Sequence, residues 1–204
     1  MNLDDYQTIK FERRGRVLNI TFNLPDQLNA VSARLHTEIS TLFYDVQLDP
    51  GSDIIVLTGE GRAFSAGGDF EQMKKANAGE AANTTVIESK KMIFGLLDLE
   101  KPIIAKINGH AMGLGATIAL FCDVIFAAEH ALIADPHVNV GIVAGDGGAI
   151  IWPQLIGYAR AKHYLMTGEP VGASEAVNMG LINFALPAEE LNKAVDAYAD
   201  KLAA

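Results

Sequence analysis

The chain has a single cysteine among 204 residues, Cys122. An internal disulfide, a CxxC redox pair and a cysteine-rich zinc site are therefore excluded. Positive charge is scarce, with 16 Lys and Arg against 25 Asp and Glu and a net charge of −9. A nucleic-acid partner calls for a basic patch, and none is present. No run nears the ~18–20 consecutive apolar residues of a spanning helix, so no membrane partner is expected. The first ten residues, MNLDDYQTIK, are polar and carry two aspartates, unlike a secretory leader. These absences imply a soluble, cytoplasmic protein. The chain also lacks a GxxxxGK[ST] phosphate loop, a GxGxxG after a strand, and an HExxH among its five histidines. No nucleotide cofactor and no metal is expected on that basis. Half of the residues are hydrophobic, ample for a buried core, and the length suits one domain, residues 1–204.

Strand-like residues 8–13 and 16–22 flank Arg14-Gly15 and predict a β-hairpin. Ser32 precedes Leu35, Ile39, Leu42, Phe43 and Val46 at helical spacing, and Asp49-Pro50-Gly51 ends that helix. Short apolar runs at 54–57, 102–107, 124–128 and 131–134 read as buried strands. Residues 58–68, 108–115 and 141–148 are glycine-rich and read as loops. Residues 71–86 read as a poorly defined surface segment. Helices are expected over 87–99, 116–122, 150–155, 159–166, 174–179 and 189–203. Strands alternating with helices place the chain in the α/β class.

Each glycine-rich loop trails a buried strand, the place where ligands collect in α/β folds. Any one of them alone is as readily a plain turn. Ala63-Phe64-Ser65-Ala66-Gly67 comes near the GxSxG nucleophile elbow. Alanine stands first, however, and the order Ser65, His137, Asp146 is not the Ser, Asp, His of that class, so a serine hydrolase is set aside.

Taken together, the motifs carry a resemblance. Gly59-Glu60-Gly61-Arg62-Ala63-Phe64-Ser65-Ala66-Gly67-Gly68-Asp69 resembles the first signature of the enoyl-CoA hydratase/isomerase (crotonase) family. Residues 101–115, from Lys101-Pro102 to Gly113-Leu114-Gly115, resemble the second, and further motifs continue in family order through Gly180-Leu181-Ile182. The resemblance implies a crotonase-like spiral of β-β-α turns. Its C-terminal helical part would be shortened or missing, since relatives continue beyond the point matching Ala204. It implies an acyl-CoA or other small carbonyl substrate, with CoA part of the substrate and no separate cofactor. It also implies a homotrimer or hexamer. By position, the backbone amides of Ala66 and Leu114 would hold the thioester oxygen, where preorganised donors stabilise a developing oxyanion. Phe64, Ser65, Gly67, Gly68, Asp69, Gly113 and Thr117 would line the substrate.

The departures bear on chemistry. Hydratases of the family carry two glutamates, and the matching positions here are Thr117 and His137. Threonine does not titrate near neutral pH, whereas histidine does. His137 is thus the candidate general acid/base. Asp146, nine residues on within Gly145-Asp146-Gly147-Gly148, is the candidate carboxylate that orients its ring. Such a pair is similar to that of 6-oxocamphor hydrolase, a β-diketone hydrolase of the superfamily. Three readings follow: an acyl-CoA thioester enzyme, which ranks first because the family's loops are intact, a carbon–carbon bond hydrolase using a His137/Asp146 dyad, and a non-catalytic acyl-CoA binding subunit.

Overall fold

Strand β3 (Ile54–Gly59) shows why the middle of the molecule is a sheet covered on both faces. All six of its residues are buried. With a side-chain period of two, Ile55 and Leu57 enter the main core while Ile54 and Val56 enter a second cluster on the opposite face. The computed structural model describes residues 3–68 and 84–204. The expected surface segment 71–86 lies for the most part outside the described residues, as does Asp69.

The hairpin β1 (Ile9–Arg14) and β2 (Val17–Phe22) forms as the pattern predicts. Ser32 caps α1 (Ala33–Gln47), its Oγ accepting from Leu35 N at 3.3 Å. The apolar stripe of α1 packs in the main core. Helix α2 spans Thr84–Leu97. Strand β5 (Ile103–Ile107), α3 (Leu114–Leu120) and β7 (Val124–Ala128) follow. Helix α4 (Gly148–Thr167) joins two expected helices across a kink at Gly157, while α5 (Ala173–Met179) and α6 (Ala188–Ala203) come last.

The glycine-rich stretches are not all loop. They contain β4 (Ala63–Ser65) and β6 (His110–Met112), each three residues long. With β8 (Leu132–Ala134) and β9 (Val171–Gly172) they build a second sheet, ordered β4-β6-β8-β9. The large sheet runs β1-β2-β3-β5-β7-β10, with β10 at Phe184–Leu186, and is parallel from β2 onward. Short strands such as these lack the length for visible alternation, and residues 184–186 gave no sequence signal for the same reason. The chain thus climbs in turns: a long strand in one sheet, a short strand in the other, then a helix. Three turns place β4, β6 and β8 side by side and parallel. Amphipathic α6 closes the other face of the large sheet, where Leu191, Val195 and Ala199 meet Val17, Ile54, Val56 and Ile104. Among the described residues, no helix is long and apolar enough to cross a membrane.

One buried carboxylate fixes the entry to this spiral. Glu38 of α1 accepts from Gln7 N (3.0 Å), Thr8 N (3.0 Å), Thr8 Oγ1 (2.6 Å) and Arg34 Nε (2.7 Å). Burial pushes the Glu38 carboxyl upward, but these hydrogen bonds outweigh it and hold it below its ordinary value of 4.5. A depressed carboxyl contributes stability that is present above the ordinary value and lost as pH falls through the folded one. Glu38→Gln is therefore expected to cost about 1.5–3 kcal/mol at neutral pH, the range for hydrogen bonds to a charged group. In urea unfolding, the gap between the two proteins should close below pH 4.5. A gap that persisted unchanged into acid would refute a role for the charge.

Candidate active site

Three parallel strand ends, β4, β6 and β8, open side by side, the place where α/β architectures gather ligands. The first loop is held by a residue the sequence reading passed over. Asn29 is fully buried with φ of +53°. Its Nδ2 donates to Glu60 O (3.0 Å) and Ala63 O (2.9 Å), and its Oδ1 accepts from Leu24 N (2.8 Å). Its carbonyl accepts from Ser65 Oγ (2.8 Å), and Ser65 Oγ in turn accepts from Gly67 N (3.1 Å). Ser65 is thus spent on structure and is no nucleophile. Phe64, fully buried, packs edge-on against Phe22 with centroids 5.7 Å apart. These two residues were expected to line the substrate; instead they carry the loop from within the core.

The expected donor Ala66 is also committed, because its N–H donates to Leu28 O at 2.9 Å. Of residues 66–68, where Ala66 N and Gly67 N both donate, the amide left without an acceptor among the described residues is that of Gly68. The second loop fits its expectation better. Leu114 is the first residue of α3, a position whose N–H has no intrahelical acceptor and sits at the positive end of the helix dipole. Its side chain is buried in the main core. The two loops touch, since a Cβ placed on Gly67 would lie 2.5 Å from Met112 O. The second loop is tied to β8 through Gly113 N donating to Ala134 O at 2.9 Å.

The third strand end carries the titratable groups. Asp135 follows β8 and caps a 3-10 turn, Pro136–Val140. His137 lies on that turn. A Cβ placed on Gly113 would be 3.6 Å from its Cε1, so the ring stands beside the start of α3. His137 Nδ1 donates to Asp135 Oδ1. Its Nε2 is 3.4 Å from Asp146 Oδ2. Thr117 Oγ1 donates to Asp146 Oδ1 at 3.2 Å, and Gly148 N does so at 3.5 Å. The ring is therefore flanked by two carboxylates. The one hydrogen-bonded to it is Asp135, which is 1% exposed, whereas the sequence reading gave that position to Asp146. Asp135-Pro136 reads in the sequence as a helix-start pair, which marks the carboxylate as a cap and gives no sign that it reaches the His137 ring.

Burial alone would lower the His137 pKa, but the Asp135 hydrogen bond and the charges of Asp146 and Asp135 outweigh it and raise it above 6.5. Burial pushes Asp146 above its ordinary value, and the Asp135 charge adds to this against the opposing effects of His137, Gly148 N and Thr117. Asp135, His137 and Asp146 can place ligand atoms within 4.8 Å of one another. With Nδ1 committed to Asp135, an ion on Nε2 would have, among the described residues, only Asp146 beside it, short of the three or four protein ligands typical of a zinc site.

The family model for enoyl-CoA hydratase/isomerase matches residues 12–204. A probable mitochondrial enoyl-CoA hydratase of Dictyostelium discoideum is 35% identical over 192 residues, which is 94% of this chain and 68% of that protein. A short-chain-enoyl-CoA hydratase of Clostridium acetobutylicum is 32% identical, covering 97% of this chain and 76% of its own length. Among solved structures, an enoyl-CoA hydratase/isomerase from Mycobacterium paratuberculosis is similar with a TM-score of 0.87 and 39% identity, over 96% of this chain and 78% of that one.

The Asn29 clamp is open to test. Asn29→Gly keeps the left-handed backbone and removes the amide that bridges Leu24, Glu60 and Ala63. It is expected to lower stability by about 2–4 kcal/mol, as several buried backbone groups lose their partners. Urea unfolding with a change under about 0.5 kcal/mol, the level of an ordinary surface substitution, would show that the loop holds without it.

Proposed function

Because the chain belongs to the enoyl-CoA hydratase/isomerase family, we propose that it carries out proton-transfer chemistry on an acyl-CoA thioester, namely addition of water across an enoyl double bond, with His137 and Asp146 handling the proton. The observation that carries this reading is the position of Asp146. Its two oxygens reach Thr117 and His137, the two places where hydratases of the family carry glutamates. A carboxylate from the third loop thus stands between the positions from which the two glutamates are missing. A non-catalytic binder has no use for such a group in a half-buried position, where a carboxylate is partly desolvated.

The step balances with one mobile proton. His137 keeps the Nδ1 proton that Asp135 accepts. Its Nε2 and Asp146 together take a proton from water as the water oxygen bonds to the β-carbon. The π electrons pass to the thioester oxygen, giving an enolate. The amides of Leu114 and Gly68 hold that oxygen, each such donor contributing about 3–4 kcal/mol in comparable sites. Collapse of the enolate returns the proton to the α-carbon and restores the pair. Isomerisation would use the same pair, taking a proton from one carbon and returning it to another. Carbon–carbon hydrolysis is a second reading, favoured by one observation. An imidazole with a carboxylate on Nδ1 is the arrangement for activating a single water.

Turnover needs the pair without its extra proton. With His137 held above 6.5, activity should fall as pH drops through a midpoint higher than that value. His137→Ala is expected to lower kcat by about 10²–10⁴-fold, the range for a lost general base. Asp146→Asn should lower kcat with little change in KM and move the acid midpoint downward, because a charge that raises His137 is gone. The assay is loss of the ultraviolet absorbance of a short-chain enoyl-CoA. Wild-type protein that binds this thioester in calorimetry and never turns it over would favour the binding subunit. His137→Ala at full rate would sink the proton-handling role.

A further inference from the structure

The described part of the molecule holds one buried carboxylate that the proposed chemistry uses only indirectly. Asp135 is 1% exposed, and its Oδ1 takes the His137 Nδ1 proton. That oxygen also lies 3.5 Å from His137 N, so carboxylate, backbone and ring are locked within one short turn. Its other oxygen, Oδ2, is buried with no hydrogen-bond partner. Space for it exists because residue 148 is glycine, since a Cβ there would lie 2.0 Å from Asp135 Oδ2. A buried, half-satisfied carboxylate is a cost to the fold, and no packing role explains it.

We propose that Asp135 is the positioning residue of this site. By accepting from Nδ1 it holds His137 in the tautomer whose Nε2 faces Asp146, and Gly148 is the vacancy that lets its carboxylate stand there. The proposal rests on the proton-handling reading of His137 but makes a claim about the free protein that needs no substrate. A neutral imidazole has one donor and one acceptor nitrogen, and which is which follows from the partner of the other. With Nδ1–H fixed by Asp135, Nε2 is the acceptor aimed at Asp146. Without Asp135, the proton moves to Nε2, donating to Asp146, and the nitrogen left as acceptor is Nδ1, on the side of the ring away from Asp146. Among the described residues, Asp135 and Asp146 are the two charged groups facing the ring, one from its own turn and one from the loop ahead of α4. Helix α3 presents Thr117 and Gly113, neither of them charged.

The test is a histidine-ring NMR titration of the free protein, with the His137 signals assigned by their loss in His137→Ala. In wild type the ring should be the Nδ1–H tautomer with a midpoint above the ordinary 6.5. Asp135→Asn, nearly isosteric, should convert it to the Nε2–H tautomer and lower the midpoint. Gly148→Ala, which pushes the carboxylate away, should shift both in the same direction. With the short-chain enoyl-CoA, kcat in Asp135→Asn should drop on the order of 10²-fold or more, as for other histidine bases held in the wrong tautomer, with KM nearly unchanged. An unchanged tautomer and midpoint in Asp135→Asn would overturn the proposal whatever the activity. A changed tautomer in a wild-type background that never acts on the thioester would leave Asp135 as the positioning residue and refute the hydration reading instead.

Discussion

The site depends on two backbones touching. Gly67 of the first loop has φ of +82°, and its missing Cβ would sit 2.5 Å from the carbonyl oxygen of Met112. No side chain fits that gap, and few L-residues adopt that backbone. The contact brings the first loop against the start of α3, where an amide at a helix N-terminus favours a developing negative charge. Strands β4, β6 and β8 have three residues each, too few for their ladders alone to hold loops in register. Side-chain and cross-loop bonds do that work: the Asn29 amide across residues 24, 60 and 63, Ser65 Oγ under the turn, and the Gly113 amide on β8.

The electrostatics follow from placing two carboxylates around one largely buried imidazole. With a neutral ring, the cluster would carry two uncompensated negative charges at low dielectric, which is costly. A second proton relieves this wherever it sits, on Nε2 or on Asp146. Both groups are accordingly shifted toward holding a proton more tightly than in water. A pair whose hold on a shared proton is strengthened in this way is suited to taking up and returning one proton per cycle.

Much of this was legible in the sequence, for identifiable reasons. The long strands were visible as apolar runs because both faces of the large sheet are buried, and α1 because its stripe and its Ser32 cap agree. Strands β4, β6 and β10 were not, being shorter than the windows in which alternation can be seen. His137 and Asp146 were singled out because they occupy positions within an ordered set of motifs, and their side chains lie 3.4 Å apart. Their division of labour was not legible. Nine residues of glycine-broken chain give no angle, and Asp135 hid as an ordinary turn-starting aspartate before proline. The free amide of the first loop was misplaced by two residues, because nothing in the string 64–68 tells that Leu28, with φ of +53°, turns its carbonyl onto Ala66.

The string Gly145-Asp146-Gly147-Gly148 then acquires a physical reading that its glycine content alone does not give. Asp146 must approach α3 from the outside, closely enough for Thr117 to donate to it. The residue after it lies so near α3 that a Cβ would be 2.8 Å from the Phe121 ring and 2.9 Å from Thr117 Cγ2, with φ of +125°. The next is the vacancy that admits Asp135 Oδ2. Asp146 is thus followed by two positions that exclude side chains for different reasons, one to press the loop onto the helix and one to admit a second carboxylate behind the ring. In this chain a carboxylate from this loop reaches both Thr117 and His137, and the two small residues after it let the loop close on α3 and leave room for Asp135 behind the ring.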